Sequence, residues 1–261
     1  MSRSMWIAAS GMMAQQLNID VISNNLANVN TVGFKKSRAD FEDLMYQKVA
    51  SSEIGSDGQV EQGMAIQVGL GVRSVGVPKI YTTGNFQQTS NELDFAIEGD
   101  GFFQVQTPGG EMAYTRAGNL KKSSDGYLTT PDGYMLMPAI QVPFDSQHLF
   151  VAPDGRASVT KVDGTTLDLG QIQIATFANP TGLEDMGRNL VKPTQASGEA
   201  IVDNPGSNGL GTLSQGYLES ANVDIAEEMI KMIIAQRAYE INSKAIQSSD
   251  EILSMTNNLR R

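Results

Sequence analysis

The C-terminal part of the chain places apolar residues at alternating steps of four and three. Between residues 234 and 259 every such position is apolar except Ser248. Steps of this kind form a heptad pattern, which predicts a helix whose apolar seam faces another helix. The seam consists of Ile234, Ala238, Ile241, Ala245, Ser248, Ile252, Met255 and Leu259.

This predicted helix starts at a recognisable signal and continues without a break. Asp224 is followed three residues later by Glu227, which is the spacing of a capping box. No proline or glycine occurs from 222 to 259, so the helix would be about 57 Å long at 1.5 Å per residue. Its first half is apolar on almost every side. We therefore expect more than one neighbour there, around Met229, Ile230, Met232, Ile233, Ile234 and Ala235.

A second heptad seam lies at the other end of the chain. It comprises Met5, Ala8, Met12, Gln15, Ile19, Ile22, Leu26 and Val29, and it stops in an Asn-rich run before Gly33. We predict that the two terminal helices pair as a coiled coil. Such a pair leaves apolar faces in water, so we expect it to become stable when copies pack together. The alternative is that the helices close over the middle of the same chain.

The middle of the chain has the pattern of an all-β domain. Five Asp-Gly pairs separate short strand-like runs between residues 77 and 217, and Asp-Gly is typical of type I′ hairpin turns. Apolar and polar residues alternate from Ile66 to Arg73, which predicts a strand, whereas residues 39–48 resemble a short helix. The predicted fold class is therefore α+β. A terminal helical domain at 1–40 and 218–261 and an outer β-rich domain at 77–217 are joined by an extended stretch at 41–76.

Charge is distributed unevenly along the chain. The formal net charge is −10, with +3 on residues 1–38 and −1 on residues 220–261, so the middle carries −12. Near-neutral ends fit ends that pack together, and an acidic middle fits a domain that faces water. An acidic chain is also a poor partner for nucleic acid or an anionic membrane. No run of 18 apolar residues predicts membrane insertion, and the N-terminus lacks the pattern of a cleaved secretory signal.

The sequence offers little for catalysis or metal binding. Cysteine is absent and His148 is the single histidine, which removes thiol chemistry and histidine-rich metal sites. The Asp-Gly segments lack the ligand ladder of a calcium loop. Gly69 and Gly71 lack the spacing and the lysine of a phosphate loop. We predict no catalytic residue, no cofactor and no metal site.

Both ends of the chain also carry long motifs of a known family. The run SNNLANVNTVGFK at 23–35 resembles the N-terminal signature of bacterial flagellar axial proteins, the rod and hook family. The runs NVDIAEEM at 222–229 and QRAYEINSK at 236–244 resemble its C-terminal signature. Segments of the middle resemble the β-domain of this family. The extended stretch at 41–76 is similar to that of the distal rod members, and proximal relatives are shorter there.

This resemblance implies a structural subunit that polymerises into a rigid tube and transmits torque across the periplasm. It implies export by the flagellar type III apparatus without cleavage. The implied partners are copies of itself, proximal rod proteins, the hook protein and the P-ring and L-ring proteins. The assembly interface would consist of the two seams together with Met229, Ile230 and Ile233.

Other interpretations stay open from sequence alone. The chain could be a proximal rod or hook-family paralogue. It could also be a monomeric β-domain that binds a ligand and carries a coiled-coil stalk, or an enzyme of cell-wall turnover, although no residue setting favours that chemistry.

Overall fold

The computed structural model describes residues 3–49 and 66–259, and the chain divides into two units. The first unit comprises Met1–Asn24, Ser37–Pro78 and Ile225–Arg261, and the second comprises Asn25–Lys36 and Lys79–Asp224. The fold class is α+β, with an N-terminal helix, a C-terminal helix and a central β-rich part, as the sequence predicts. None of the helices in the described ranges is long and apolar enough to cross a membrane.

The first unit contains two long helices and a narrow two-stranded ribbon. The helices are α1 (Arg3–Ala27) and α2 (Ile225–Leu259). The ribbon strands are β1 (Asp40–Asp43), β2 (Tyr46–Val49), β3 (Ile66–Gly69) and β4 (Val72–Gly76). Strand β1 pairs with β4 and β2 pairs with β3, both antiparallel. The predicted extended stretch thus forms a β-ribbon where it is described, and its part at 50–65 lies outside the described residues.

The short helix predicted at 39–48 is wrong, because these residues form β1 and β2. Their partners are 17 to 36 residues away in the sequence, so the local pattern could not reveal them. An ion pair between Glu42 and Arg73 joins the paired strands. Gly71 makes a close approach to α1, where the Val72 amide donates to the Ser10 hydroxyl at 3.4 Å. Gly71 therefore serves packing against α1.

The second unit is built from short antiparallel strands and one turn of 3₁₀ helix at Pro180–Gly182. The strands are β5 (Phe86–Gln88), β6 (Phe95–Glu98), β7 (Phe102–Gln106), β8 (Met112–Thr115), β9 (Lys121–Lys122), β10 (Leu128–Thr129), β11 (Met135–Met137), β12 (Ser146–Val151), β13 (Arg156–Lys161), β14 (Thr166–Gln171), β15 (Ile174–Thr176), β16 (Glu184–Gly187), β17 (Leu190–Lys192), β18 (Ile201–Asp203), β19 (Thr212–Gln215) and β20 (Tyr217–Glu219).

Strand β7 is the centre of the largest sheet. It pairs with β8 along one edge, and its other edge is shared by β15 and β11. The sheet continues from β8 through β17 to β16, and from β11 through β10 to β9, while β18 pairs with β15. Strands β12, β13 and β14 form a separate three-stranded sheet, and β19 pairs with β6 and β20 with β5.

Alternation along β7 divides the apolar interior into two clusters. Phe103 and Val105 are fully buried in the larger cluster, and Phe102 belongs to the smaller one. In the smaller cluster Phe102 packs edge to face against Tyr81 and Phe177, with ring centroids 5.5 and 5.6 Å apart. Because side chains alternate between the faces of a strand, one short strand supplies both clusters.

Four of the five Asp-Gly pairs lie in hairpin turns of a different type from the one predicted. The amide of Gly126 donates to the Ser123 carbonyl at 3.0 Å, and the Ser123 amide donates to Tyr127 at 2.8 Å. Only the glycine has a positive φ, +87°. This is a type I turn followed by a bulge with glycine in the left-handed region. The turns ending at Gly133, Gly155 and Gly164 repeat it. A three-residue loop needs one positive φ, which leaves the aspartate in ordinary backbone geometry.

The type I′ geometry occurs elsewhere, between β16 and β17. Arg188 and Asn189 occupy the two central positions with φ of 54° and 59°. Positive φ at both positions is the mark of this turn. Arginine is unusual there, so the sequence did not signal it.

Two glycine substitutions test the role of the bulge turns. Gly133→Ala should cost about 1–2 kcal/mol, because alanine is strained at its φ of +88° but meets no atom within 4 Å. Gly126→Ala should cost clearly more, because at φ +87° its added carbon would also lie 2.7 Å from the Val142 carbonyl oxygen. Urea unfolding followed by far-UV circular dichroism measures both costs. Equal costs would show that the contact with Val142 is unimportant.

Candidate functional site

The apolar seam predicted on α2 is exposed in this chain. Ile234, Ile241 and Ile252 expose 63%, 67% and 60% of their surface. Met229, Ile230, Ile233, Ala245 and Met255 are exposed as well, and Ala238 is half-buried. Leu259 is the last helical residue. Large apolar side chains arranged along one helix in this way form a continuous surface that water covers in the isolated chain.

A different face of α2 lies against α1. The Ser249 hydroxyl donates to the Ser4 hydroxyl at 3.1 Å, and Asn242 packs so closely on Gly11 that an added carbon there would lie 2.9 Å from its amide nitrogen. Gly11 follows Ser4 by seven residues on α1, whereas its partner Asn242 precedes Ser249 by seven residues on α2. The two helices therefore run antiparallel. The buried and half-buried positions along this face are spaced by three, four or seven residues, and they are Glu228, Met232, Ala235, Asn242, Ile246 and Ser249.

Sequence reasoning missed this second face of α2 because half of its residues are polar. Ala235 and Glu228 are its most buried members, each at 1% exposure. Small residues such as Gly11 and Ser4 on α1 allow the helix backbones to come close. The heptad spacing was the available signal, but the more apolar seam on the neighbouring face concealed it.

The seam predicted on α1 is largely covered. Ala8 and Ile22 are buried, and Met5, Met12, Gln15, Ile19, Leu26 and Val29 are half-buried. The large apolar side chains that α1 exposes are instead Trp6 and Met13, at 60% and 73%. They are seven residues apart and therefore lie on one line of the helix. These two were absent from the predicted interface.

The second half of α2 also has a polar stripe, which limits the apolar surface. It carries Arg237, Glu240, Lys244, Gln247 and Glu251, all exposed. Arg237 pairs with Glu240 at 2.8 Å. Positions three and four apart on a helix are neighbours, so this stripe runs beside the apolar seam and faces water in the isolated chain.

In the second unit, a buried carboxylate binds three segments of the chain together. One oxygen of Glu219 accepts from the Lys35 ammonium at 2.6 Å and from the Gly84 amide at 2.8 Å. The other accepts from Arg116 at 2.6 Å. All three charged side chains are less than one tenth exposed. We call this group the Glu219 junction.

The junction is reinforced by backbone bonds between the same segments. The Gly33 amide donates to the Glu219 carbonyl at 2.8 Å, at a φ of +70° that favours glycine. The Asn222 side chain accepts from the Lys36 amide at 2.7 Å and donates to the Ile80 carbonyl at 2.8 Å. Both terminal motifs of the sequence therefore contain residues that close this junction.

Electrostatics within the junction favours the ionised carboxylate. Burial by itself would raise the pKa of Glu219, but attraction to Arg116 and Lys35 outweighs burial and lowers the pKa below its usual value. Burial is also the main influence on Lys35 and lowers the pKa of its ammonium, against the attraction of Glu219. Two cations share one carboxylate, so each charged group depends on the others.

The single histidine of the sequence contacts an exposed carboxylate. His148 contacts the Glu92 carboxylate at 2.7 Å, and the hydrogen bond to His148 lowers the pKa of Glu92. Both side chains are exposed. Within the ranges that the structure describes, no group of three or more His, Asp or Glu side chains is arranged to hold a metal ion.

A β-rich unit, two terminal helices and long exposed apolar helix faces define a structural protein. Three family models match the chain. Residues 5–35 match the flagella basal body rod protein model, residues 96–159 match the flagellar hook protein FlgE/F/G D1 domain, and residues 214–259 match the flagellar basal body rod FlgEFG protein C-terminal model.

Full-length relatives agree with these matches. The flagellar basal-body rod protein FlgG of Buchnera aphidicola subsp. Schizaphis graminum is 48% identical over 98% of this chain and 99% of its own length. The proteins of the same name from Borreliella burgdorferi and Bacillus subtilis are 48% and 44% identical over all of both chains. The crystal structure of the Helicobacter pylori hook protein FlgE2 matches 71% of this chain and 43% of that chain at 14% identity. Its TM-score of 0.25 is too low for any argument about the fold.

The chain belongs to the FlgG family of flagellar basal-body rod proteins. It is a structural subunit of the basal-body rod and not an enzyme, as the sequence predicts. The predicted interpretation as a rod subunit is therefore confirmed.

The charges of the Glu219 junction lead us to predict a pH-dependent effect of mutation on stability. Glu219→Gln should lower the stability of the monomer by about 3–5 kcal/mol at pH 7, because it leaves two buried cations without their counter-charge. A carboxylate with a lowered folded pKa stabilises above its unfolded value and loses that contribution as the pH falls through the folded value. The difference from the parent chain should therefore shrink below about pH 4.5.

Thermal unfolding from pH 7 down to acid measures this difference. Glu111→Gln is the matched control, since Glu111 forms an exposed ion pair with Lys192 at 3.4 Å and should change stability by less than about 1 kcal/mol. A Glu219→Gln deficit that stays constant across the pH range would contradict the assignment.

Proposed function

We propose that this chain polymerises into the helical tube of the distal rod through its terminal helices. Residues 1–40 and 218–261 form the assembly domain, in which α1 and α2 pair as an antiparallel coiled coil. Residues 41–76 connect this domain to an outer β-rich domain at 77–217. The observation that carries the proposal is the exposed line of Ile234, Ile241 and Ile252 on a helix whose other face already contacts α1.

The occupant of that line is a second copy of the chain. Fully burying one isoleucine contributes about 1.5–3 kcal/mol, while association costs at least about 4 kcal/mol in lost freedom. One or two such contacts would be too weak, but α2 exposes seven large apolar side chains from Met229 to Met255 that belong to the proposed interface. Contacts that join different faces of identical subunits generate an open helical filament when the rotation between subunits does not close into a ring.

The two halves of α2 require different surroundings in the polymer. Met229, Ile230, Ile233 and Ile234 surround most of the first half, so this half meets more than one neighbouring helix. In the second half the polar stripe replaces part of that surface. On α1, Trp6 and Met13 supply a complementary pair of large side chains for a neighbouring copy. The interface therefore adds these two residues to the seams predicted from sequence.

The outer position of the β-rich part is supported by charge. The middle of the chain carries −12 and the helical ends are close to neutral. Packing the ends together keeps like charges apart, while the acidic part faces water and repels unrelated contacts.

We further propose the partners that the rod family implies. The tube joins proximal rod proteins at one end and the hook protein at the other, rotates inside the P-ring and L-ring, and transmits torque through packed interfaces. The subunit reaches the periplasm through the flagellar type III apparatus. The alternative is a monomeric β-domain that binds a ligand and carries a helical stalk, and it predicts one species at all concentrations.

A charge placed in the exposed seam tests the interface. Ile241→Asp should abolish polymerisation, because assembly would bury an unpaired carboxylate at a cost of several kcal/mol. The monomer should keep its helix content, since Ile241 faces water there. Electron microscopy and sedimentation over a concentration series, seeded with native rod fragments, measure assembly. Circular dichroism measures the helix content of the monomer.

The matched control is Gln247→Asp, which adds the same charge six residues further along the same helix, within the polar stripe. This variant should polymerise like the parent chain. Normal filaments from Ile241→Asp would refute the proposed interface. A parent chain that stays monomeric with seeds present would instead support the stalked binding module.

The single tryptophan reports the same event independently. Trp6 is exposed in the monomer, so its fluorescence emission should shift to shorter wavelength on assembly and stay unshifted in Ile241→Asp. Filaments formed without a shift would exclude Trp6 from the interface while leaving the α2 seam in place.

A further inference from the structure

A small cleft in the second unit lies directly beside the Glu219 junction. Its walls include Lys35, Arg116 and Tyr81 on the polar side, and Phe34, Phe102 and Val191 on the apolar side. The cleft has an empty volume of about 310 Å³, part of which is open to solvent. Cationic and apolar walls together create a site where charge interactions are stronger than in water.

Both buried cations keep an unused hydrogen-bond donor. An ammonium has three N–H groups and a guanidinium has five. Lys35 uses two, toward Glu219 and the Thr82 carbonyl at 2.7 Å. Arg116 uses four, toward Glu219 and the carbonyls of Ile97, Gly99 and Gly101. One proton on each side chain therefore has no acceptor within the described ranges of the chain.

A third donor lines the same cleft. The Tyr81 hydroxyl makes no hydrogen bond to any residue in 3–49 or 66–259, although its ring packs on Phe102. Burial raises the pKa of Tyr81 well above its usual value, so the hydroxyl keeps its proton and remains a donor. The cleft is therefore lined by three side chains that each keep one proton without an acceptor in the described residues.

The charge at this place is also unbalanced. Lys35 and Arg116 carry two positive charges, and Glu219 carries one negative charge. The nearby carboxylates do not correct the difference inside the protein, since Asp185 is paired with Lys79 and Asp100 is exposed. One positive charge is therefore left in a mostly buried setting, which is costly unless a counter-charge is present.

The size of the cleft decides which counter-charge fits. The inside of the cleft is narrow and admits one water or one monatomic ion. A phosphate, a sulfate or a side-chain carboxylate with its carbon atoms needs more room.

We propose that the cleft formed by Lys35, Tyr81 and Arg116 binds a single small monovalent anion of the chloride type. The anion accepts from the three free donors and neutralises the remaining positive charge. It thereby stabilises the junction that ties the segment after α1, the segment before β5 and the segment before α2. A water molecule could accept from the same donors, but it would leave the charge uncompensated. The proposal concerns the second unit alone and does not depend on polymerisation.

The test uses the full-length chain at concentrations where it is monomeric. Thermal unfolding is measured while sodium chloride replaces sodium gluconate at constant ionic strength, since gluconate is too large for the cleft. The unfolding midpoint should rise with chloride and saturate, because a ligand that binds only the folded state stabilises it. The chloride-35 NMR signal should broaden when the protein is added, and bromide should reverse the broadening by competing for the site.

The variant Tyr81→Phe tests whether the effect of chloride on the unfolding midpoint arises at this cleft. It removes one donor and keeps the aromatic ring. The hydroxyl has no hydrogen-bond partner among the residues that the structure describes, so the fold should persist. A hydrogen bond to a charged group is worth enough that the chloride concentration at half saturation should rise about tenfold. Tyr114→Phe is the control, because Tyr114 packs in the same aromatic cluster but does not line the cleft.

Each outcome bears on the proposal. A saturable chloride effect that Tyr81→Phe weakens and Tyr114→Phe leaves unchanged supports it. If both variants respond to chloride equally, the anion binds elsewhere on the chain and the proposed site is wrong. If neither the unfolding midpoint nor the chloride-35 linewidth changes with chloride concentration, water fills the cleft and the proposal is wrong.

Discussion

The buried carboxylate of Glu219 is the contact on which the arrangement of the second unit depends. Three segments that are far apart in sequence end at its two oxygens, through Lys35, Gly84 and Arg116. Removing a charge from water is expensive, so such a group persists only where its partners are fixed. The partners are fixed here by backbone bonds between the same segments, at Gly33 and Asn222. These segments are therefore fixed to one another within the second unit.

The helices obey the opposite physical logic. Their inner contact uses small and polar residues such as Gly11, Ser4 and Asn242, while the larger apolar residues of α2 face outward. A monomer selected for its own stability would show the reverse distribution. Leaving the more apolar surface of α2 exposed lowers the stability of the monomer. The free energy of burying that surface is then gained only when subunits pack together. This distribution is what a structural rod subunit requires.

The sequence predicted what depends on local periodicity. The heptads gave both helices, and the Asp-Gly pairs gave a β-rich middle. It failed where a partner is distant. Residues 40–49 form strands because 66–76 pair with them, and no local pattern carries that information. Lys35, Arg116 and Glu219 are ordinary charged residues until folding brings them together. The inner face of α2 was concealed because the more apolar seam lies beside it.

The bulge turns have a practical consequence. At Gly133 and Gly164 the space around the loop tip is empty to 4 Å, and the chain contains no cysteine. A single thiol introduced beside either tip would be the only one in the protein. It could carry a dye, a heavy atom or a cross-linker without disturbing the strands that flank it. The β-rich unit therefore offers attachment points from which rotation of individual rods could be followed under a microscope.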